Sequence, residues 1–342
     1  MSGSACRRSA ITRLALHGTS EPVIKPRPTR SWISELLNRD VSLAPRQSPE
    51  EIPAARKLWD LRHLNQDLPE LAAFHERVLL RARGNTDLTA EVYVPLGAGP
   101  FPTMLYMHGG SWCLWSPAHV RKMVMRFAAS GYVVFNLDYG LAPEHRFPWA
   151  VEDVVYAAGW AVKNASRYGG KGDHLVLAGD SAGANLAAAA IVALTDRAMS
   201  WNDSLAGVPR SIVGALLIYG IFDFPLLFAE PGRNAAAGTI ETTWNLAYLG
   251  PNFVSVHRNP LVSPAYWSGI AQFPPTYLTC GARDALLPQT LRMMRVLTDA
   301  DVHTTASIVG DADHGFLMTA DTNPAAMKES QRICDWLADV FR

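Results

Sequence analysis

The chain has 342 residues, with 31 Lys and Arg against 31 Asp and Glu, for a formal charge of zero at neutral pH. That length can bury a substantial core without a disulfide or metal staple, and the charge balance lacks the basic footprint of a nucleic-acid binder, so no nucleic-acid partner is expected. Cys6, Cys113, Cys280 and Cys334 lie far apart, with no Cys-x-x-Cys pair and no Cys/His cluster, which argues against a disulfide framework or zinc site and for a reducing, cytoplasmic location.

Near the start, Arg7 and Arg8 resemble a twin-arginine leader, but Thr12, Arg13 and His17 break the apolar segment such a leader needs. No cleaved export signal is expected. The longest apolar stretch, 186–194, falls short of the about 20 residues that cross a bilayer, so no membrane span is expected.

Residues 1–72 are largely polar, with helical periodicity at 31–38 and 49–64. From about residue 75, strand-like runs appear at 76–83, 89–94, 102–107, 132–138, 174–178, 211–219, 275–280 and 304–309. The first two have no helix between them and read as a hairpin turning at Gly-Asn-Thr-Asp, 84–87. Helical patterns occupy 117–130, 150–166, 182–196, 288–299 and 324–341. This alternation implies an α/β fold, a mainly parallel eight-stranded sheet covered by helices on both faces. Residues 221–258 break the rhythm, being too long for a plain loop and carrying aromatics at helical spacing. With the N-terminal helices they are expected to form a lid over the carboxyl ends of the strands.

In such a sheet, ligands sit beyond the carboxyl ends of the strands. Gly179-Asp180-Ser181-Ala182-Gly183 falls where the strand at 174–178 must become the helix at 182–196. A serine on so sharp a turn needs small neighbours and is pushed out at the sheet edge, where the next helix aims its amides. Ser181 is the candidate nucleophile. A hydroxyl needs a base, and the base needs a carboxylate to orient it. Asp284 follows the strand at 275–280 and His314 follows the strand at 304–309, in the chain order Ser, Asp, His. The turn in "YMHGGSWCLW", 106–115, offers backbone amides for an oxyanion, and the amide of Ala182 would complete the hole.

His108-Gly109-Gly110-Ser111, "DYGLAPEHRFPWAVED" (138–153), "GDSAGAN" (179–185), "NPLVSP" (259–264) and "DHGF" (313–316) together resemble the hormone-sensitive-lipase-like family of α/β-hydrolases, largely carboxylesterases. The resemblance implies the α/β-hydrolase fold, with a helical cap from 1–72 and 221–258 on a catalytic core of 73–220 and 259–342. It implies Ser181, Asp284 and His314 as the triad, and the amides of Gly110, Ser111 and Ala182 as the oxyanion hole, with Gly109 allowing close approach. It also implies ester hydrolysis without metal or cofactor, and a homodimer.

The sequence departs from the family pattern at Ser111, where a third glycine is usual, at Gly140, where an arginine is usual, and at 285–288, where "ALLP" replaces a stretch with a second acid. The last departure favours Asp284 as the orienting acid. Trp112 and Trp115 are read as walls of the acyl pocket or as core. Trp244 and Tyr248, one helical turn apart, either line the substrate site or dock the cap. Asp311 and Asp313 flank His314 as solvated loop carboxylates or as charges that tune it. The expected substrate is a small ester of short or medium acyl chain. An amidase of the arylacetamide-deacetylase kind, a lactone hydrolase, or a small-molecule receptor on the same fold are the alternatives.

Overall fold

The apolar runs between residues 73 and 309 pair into one sheet. The protein is seen here in a computed structural model that describes residues 13–17, 52–56, 61–196, 207–229, 240–251 and 253–341. The periodic stretch at 31–38 and much of that at 49–64 lie outside the described residues.

The strands are β1 (Arg13–His17), β2 (Ala73–Arg81), β3 (Leu88–Val94), β4 (Phe101–Met107), β5 (Val133–Asp138), β6 (Gly170–Asp180), β7 (Ile212–Ile218), β8 (Thr276–Gly281) and β9 (Thr304–Val309). They lie in the order β1-β9-β8-β7-β6-β4-β5-β3-β2. From β1 to β5 every neighbouring pair is parallel, while β3 runs antiparallel to both β5 and β2. The expected eight strands are therefore β2 to β9, and β2 and β3 form the expected hairpin. A ninth strand, β1, lies along the outer edge of β9, with Arg13 opposite Thr305 and His17 opposite Val309.

Among the described residues, five longer helices cover the sheet, and a sixth belongs to the insertion. They are α1 (Pro117–Ala129), α2 (Trp149–Asn164), α3 (Ala182–Thr195), α4 (Ile240–Leu249, in the insertion), α5 (Leu287–Asp299) and α6 (Pro324–Val340). Local chemistry sets several starts. Pro117 and Pro324 open α1 and α6 at positions where their missing N–H is not needed. The His119 ring accepts from the Ser116 amide at 3.0 Å, and the Asn323 side chain accepts from the amides of Ala325 and Ala326 at 3.0 and 3.3 Å. One face of the sheet packs on α2, α3 and α5, through residues such as Leu177, Val154, Leu186 and Met293. The other packs on α1 and α6, through Met104, Val124, Ile333 and Trp336. α3 is buried along nearly its whole length, which is why its alanine-rich sequence shows no polar face.

The glycine at 140 has a structural counterpart. A Cβ there would lie 2.7 Å from the Trp149 ring. Asp153, buried in α2, accepts from the Gly140 amide at 3.0 Å and pairs with Arg83 of the β2–β3 turn. The guanidinium of Arg83 also lies over the Trp149 ring, 4.9 Å from its centre. A cation reaches Asp153 from elsewhere in the chain while Trp149 fills the space beside Gly140.

Candidate active site

Ser181 sits between β6 and α3 with φ 52° and ψ −117°, a conformation costly for a residue with a Cβ and kept only where the surroundings fix it. Its amide donates to the Ile218 carbonyl at 2.8 Å. The flanking glycines are required by contact. A Cβ at Gly183 would lie 1.9 Å from the Met107 carbonyl oxygen, and one at Gly179 would lie 2.4 Å from the backbone of Gly183. The turn thus presents Ser181 at the carboxyl edge of the sheet.

The loops after β8 and β9 meet it there. The His314 Nε2 lies 3.0 Å from Ser181 Oγ, and its Nδ1 lies 2.8 Å from Asp284 Oδ2. Nδ1 facing a carboxylate must carry the proton, which leaves Nε2 as the acceptor for the serine hydroxyl. Asp284 is buried, and its other oxygen accepts from the Leu286 amide at 2.7 Å. Burial pushes its carboxyl up, but the His314 charge and hydrogen bond, with the Leu286 amide, outweigh that and hold it below its ordinary value.

The turn after β4 faces the same point. The Gly109 amide donates to Asp180 Oδ1 at 3.0 Å, so it is engaged inside the protein, and a Cβ there would lie 2.6 Å from Asp180 Oδ2. Gly110 and Ser111 line the cavity in front of Ser181, and neither amide donates to another described group. Ala182, at the first position of α3, has an amide without an intrahelical acceptor. Ser111 has φ +54°, and Trp112 and Trp115 have +59° and +72°. The family's third glycine thus meets a real demand, which Ser111 satisfies at a cost of about 1–2 kcal/mol.

His108 braces this turn. Its Nδ1 lies 2.7 Å from the Gly109 carbonyl and so must donate, its ring stacks on Tyr139 at 4.4 Å, and Tyr139 donates to the His108 carbonyl at 2.8 Å. Burial pushes its pKa down to about 3, against the pull of the Gly109 bond, so the ring is neutral at ordinary pH.

A cavity of about 240 Å³ opens over Ser181 and His314. Trp112, Trp115 and Trp244 line it, with Leu227 and Ile221. Tyr248 does not. It is fully buried and stacks on Trp112 with ring centres 4.5 Å apart and planes 3° from parallel, so of its two expected placements, lining or docking, it takes the docking one and backs a lining residue. Asp311 and Asp313 lie 3.5 and 3.3 Å from the guanidinium of Arg283, a countercharge within the same loop cluster. Among the described residues, no group of three or more His, Cys, Asp or Glu is placed to hold a metal ion.

Two neighbours of the site were not anticipated. The Tyr219 ring meets the His314 ring edge-on at 4.8 Å. Asp180 accepts from the Tyr106 hydroxyl at 2.9 Å as well as from Gly109. Burial pushes its carboxyl up to about 6, against those bonds and the His314 charge. Position inside the Gly-x-Ser-x-Gly segment was the only signal for Asp180, and Tyr219 had none beyond its place at the end of a strand.

A family model described as alpha/beta hydrolase fold matches residues 104–318. The chain belongs to the α/β-hydrolase fold family. Its resemblance to the hormone-sensitive-lipase-like members of that family also extends to curated relatives. This α/β-hydrolase is 27% identical over 292 residues to carboxylesterase NlhH of Mycobacterium tuberculosis, covering 82% of this chain and 86% of the relative. It is 33% identical over 187 residues to an acetyl-hydrolase of Streptomyces hygroscopicus, covering 54% and 58%. In three dimensions it resembles a hyperthermophilic esterase from the archaeon Pyrobaculum calidifontis, with TM-score 0.74 and 24% identity, covering 90% of this chain and 97% of the other. At that identity the likeness concerns the fold.

Proposed function

We propose that this α/β-hydrolase is a serine carboxylesterase, with Ser181 as nucleophile, His314 as general base and then general acid, and Asp284 as the carboxylate that orients His314. The observation that carries the assignment is the pair of contacts at His314, 3.0 Å to Ser181 Oγ and 2.8 Å to Asp284 Oδ2.

As Ser181 Oγ attacks the ester carbonyl, its proton passes to His314 Nε2. The developing oxyanion takes hydrogen bonds from the amides of Gly110, Ser111 and Ala182, each such donor typically contributing about 3–4 kcal/mol to the transition state. Collapse breaks the carbonyl–alkoxy bond, and Nε2 gives its proton to the departing alcohol. Water, activated by the same imidazole, then cleaves the acyl-enzyme and frees the acid and Ser181.

The cavity volume, about 240 Å³, lies below the roughly 300–1,000 Å³ of pockets for drug-sized ligands. Together with its tryptophan and leucine lining, this supports esters of short to medium acyl chain. Leu227, Trp244 and Asn245 of the 221–258 insertion stand in the lining, which supports reading that insertion as part of a cap over the core; within the N-terminal region read with it, residues 13–17 pair with the sheet instead. Cys113, Cys280 and Cys334 are free thiols, in keeping with a reducing, cytoplasmic setting. No described helix is long and apolar enough to cross a membrane.

The assay is a series of 4-nitrophenyl esters of increasing acyl length, with a lactone and an anilide alongside, and labelling by a fluorophosphonate probe. Short and medium esters should turn over fastest, the probe should attach stoichiometrically at Ser181, and Ser181→Ala should abolish both. Ester turnover that survives Ser181→Ala would overturn the assignment.

A further inference from the structure

The turn that carries Gly110 and Ser111 is held by a residue more than fifty positions earlier in the chain. Arg56, just after the short helix Ile52–Ala55, donates from Nε to the Cys113 carbonyl at 2.6 Å and from Nη2 to the Ala142 carbonyl at 2.5 Å. The same guanidinium grips Glu144, with Nη1 and Nη2 at 2.9 and 3.0 Å from its two oxygens. Ile52, on that helix, is fully buried and anchors the segment in the core.

The carbonyls Arg56 reaches belong to two loops that already touch. The Ala142 amide donates to the Trp112 carbonyl at 3.0 Å, and the amides of Cys113 and Leu114 return to the Gly110 carbonyl at 3.0 and 2.8 Å. Between these anchors stand Ser111 and Trp112, both with positive φ. A backbone held in that region relaxes unless its surroundings over-determine it. A planar fork with fixed donor directions can bind two carbonyls and a carboxylate at once, which a lysine cannot. The Glu144 arm is largely exposed, at 44% of its side chain, and contributes little by charge alone. Its role is to aim the guanidinium, and the restraint on the turn comes from the two carbonyls.

We propose that Arg56 is a positioning residue for the oxyanion hole, locking the Gly110–Cys113 turn to the 140–144 loop and making the aim of the Gly110 and Ser111 amides depend on docking of the 52–56 segment. The inference rests on the esterase assignment above. Donors displaced by a fraction of an ångström serve the transition state less well while leaving ground-state binding largely unchanged.

The test compares the wild-type chain with Arg56→Ala, Arg56→Lys and Glu144→Gln on one short-chain 4-nitrophenyl ester, with melting temperatures measured alongside. Arg56→Ala should lower kcat about 10- to 100-fold with KM within about twofold, Arg56→Lys should recover only part, and Glu144→Gln should lose less than either. Millimolar methylguanidinium should restore kcat to Arg56→Ala several-fold and leave the wild type unchanged. A kcat within twofold of wild type in Arg56→Ala overturns the proposal, as does a fall in melting temperature with no fall in kcat. If Arg56→Ala does not fold, Arg56→Lys decides by the same split of kcat from KM. Wild-type turnover that does not depend on Ser181 would instead sink the esterase assignment, so the two failures are told apart.

Discussion

Asp180 and Gly109 are joined by a 3.0 Å hydrogen bond from the amide of one to the carboxylate of the other, which ties the strand that presents Ser181 to the turn that faces it. The carboxylate is 1% exposed, and burial pushes it up from 3.8 to about 6. Between those values the folded protein holds a proton that the unfolded chain has released. Stability from this group is therefore fully present below the unfolded value and is lost as the pH rises through about 6. Two pKa units correspond to about 3 kcal/mol. Asparagine keeps an oxygen for the Gly109 amide and the Tyr106 hydroxyl but cannot ionise. Denaturant unfolding at pH 5 and pH 8 should show Asp180→Asn gaining on the wild type by about 1–1.5 kcal/mol over that interval, since only the last pKa unit of the shift lies above pH 5. An equal difference at both pH values would mean that Asp180 does not titrate in this window.

The reach of the sequence ends at identifiable places. Most of β2 to β9 were legible as apolar runs bounded by glycine, proline or polar residues, and the meeting of Ser181, Asp284 and His314 because each follows such a run at the carboxyl edge of the sheet. β1 was not, since Arg-Leu-Ala-Leu-His has no strong period and its pairing depends on the edge of β9, nearly three hundred residues away in the chain. Trp244 and Tyr248 share a helical face by spacing, yet one lines the cavity and the other backs Trp112; periodicity gives a face and not a depth. Arg56 lay in a stretch readable only as helix, and nothing local reveals that its fork meets Cys113 and Ala142. Arg83 likewise carried no sign that it would pair with Asp153.

Asp284→Asn tests the proton arrangement at His314. The asparagine can turn its amide toward Nδ1, which favours the tautomer with the proton on Nε2, and Ser181 then has no base. A drop in kcat of about 10⁴-fold is expected, with KM little changed. The measurement is steady-state turnover of a short-chain ester at the pH optimum. A loss below tenfold would show that another group orients the imidazole.

Ser111→Gly isolates backbone strain. At φ +54° a Cβ costs about 1–2 kcal/mol, while glycine loses about 0.4–1 kcal/mol through the freedom of the unfolded chain. The variant should gain up to about 1.5 kcal/mol in denaturant unfolding. It should retain most of its activity, because the amide is unchanged. Destabilisation by more than that amount would show that the serine hydroxyl makes a contribution of its own.

Arg83→Ala tests the buried ion pair with Asp153. Asp153 exposes 2% of its side chain and Arg83 13%, so removing the cation leaves a carboxylate with only the Gly140 amide to hold it. Breaking a buried pair from one side typically costs about 3–5 kcal/mol, and Arg83→Ala should destabilise the fold by that order at neutral pH. Burial already pushes the Asp153 carboxyl up, with the Gly140 amide and Arg83 opposing it. Without Arg83 it rises further, so protonation relieves the penalty and the defect should shrink toward pH 4. Asp153→Asn in the Arg83→Ala background should recover much of the loss at neutral pH, because the buried charge is gone. Restoring an arginine at position 140 should fail to rescue Arg83→Ala, since the first atom of its side chain would meet Trp149 at 2.7 Å. Chemical denaturation of the wild type and these three variants at pH 4.5 and 7.5 decides it: a Gly140→Arg rescue, or a loss that does not depend on pH, would remove this account of how Asp153 is neutralised.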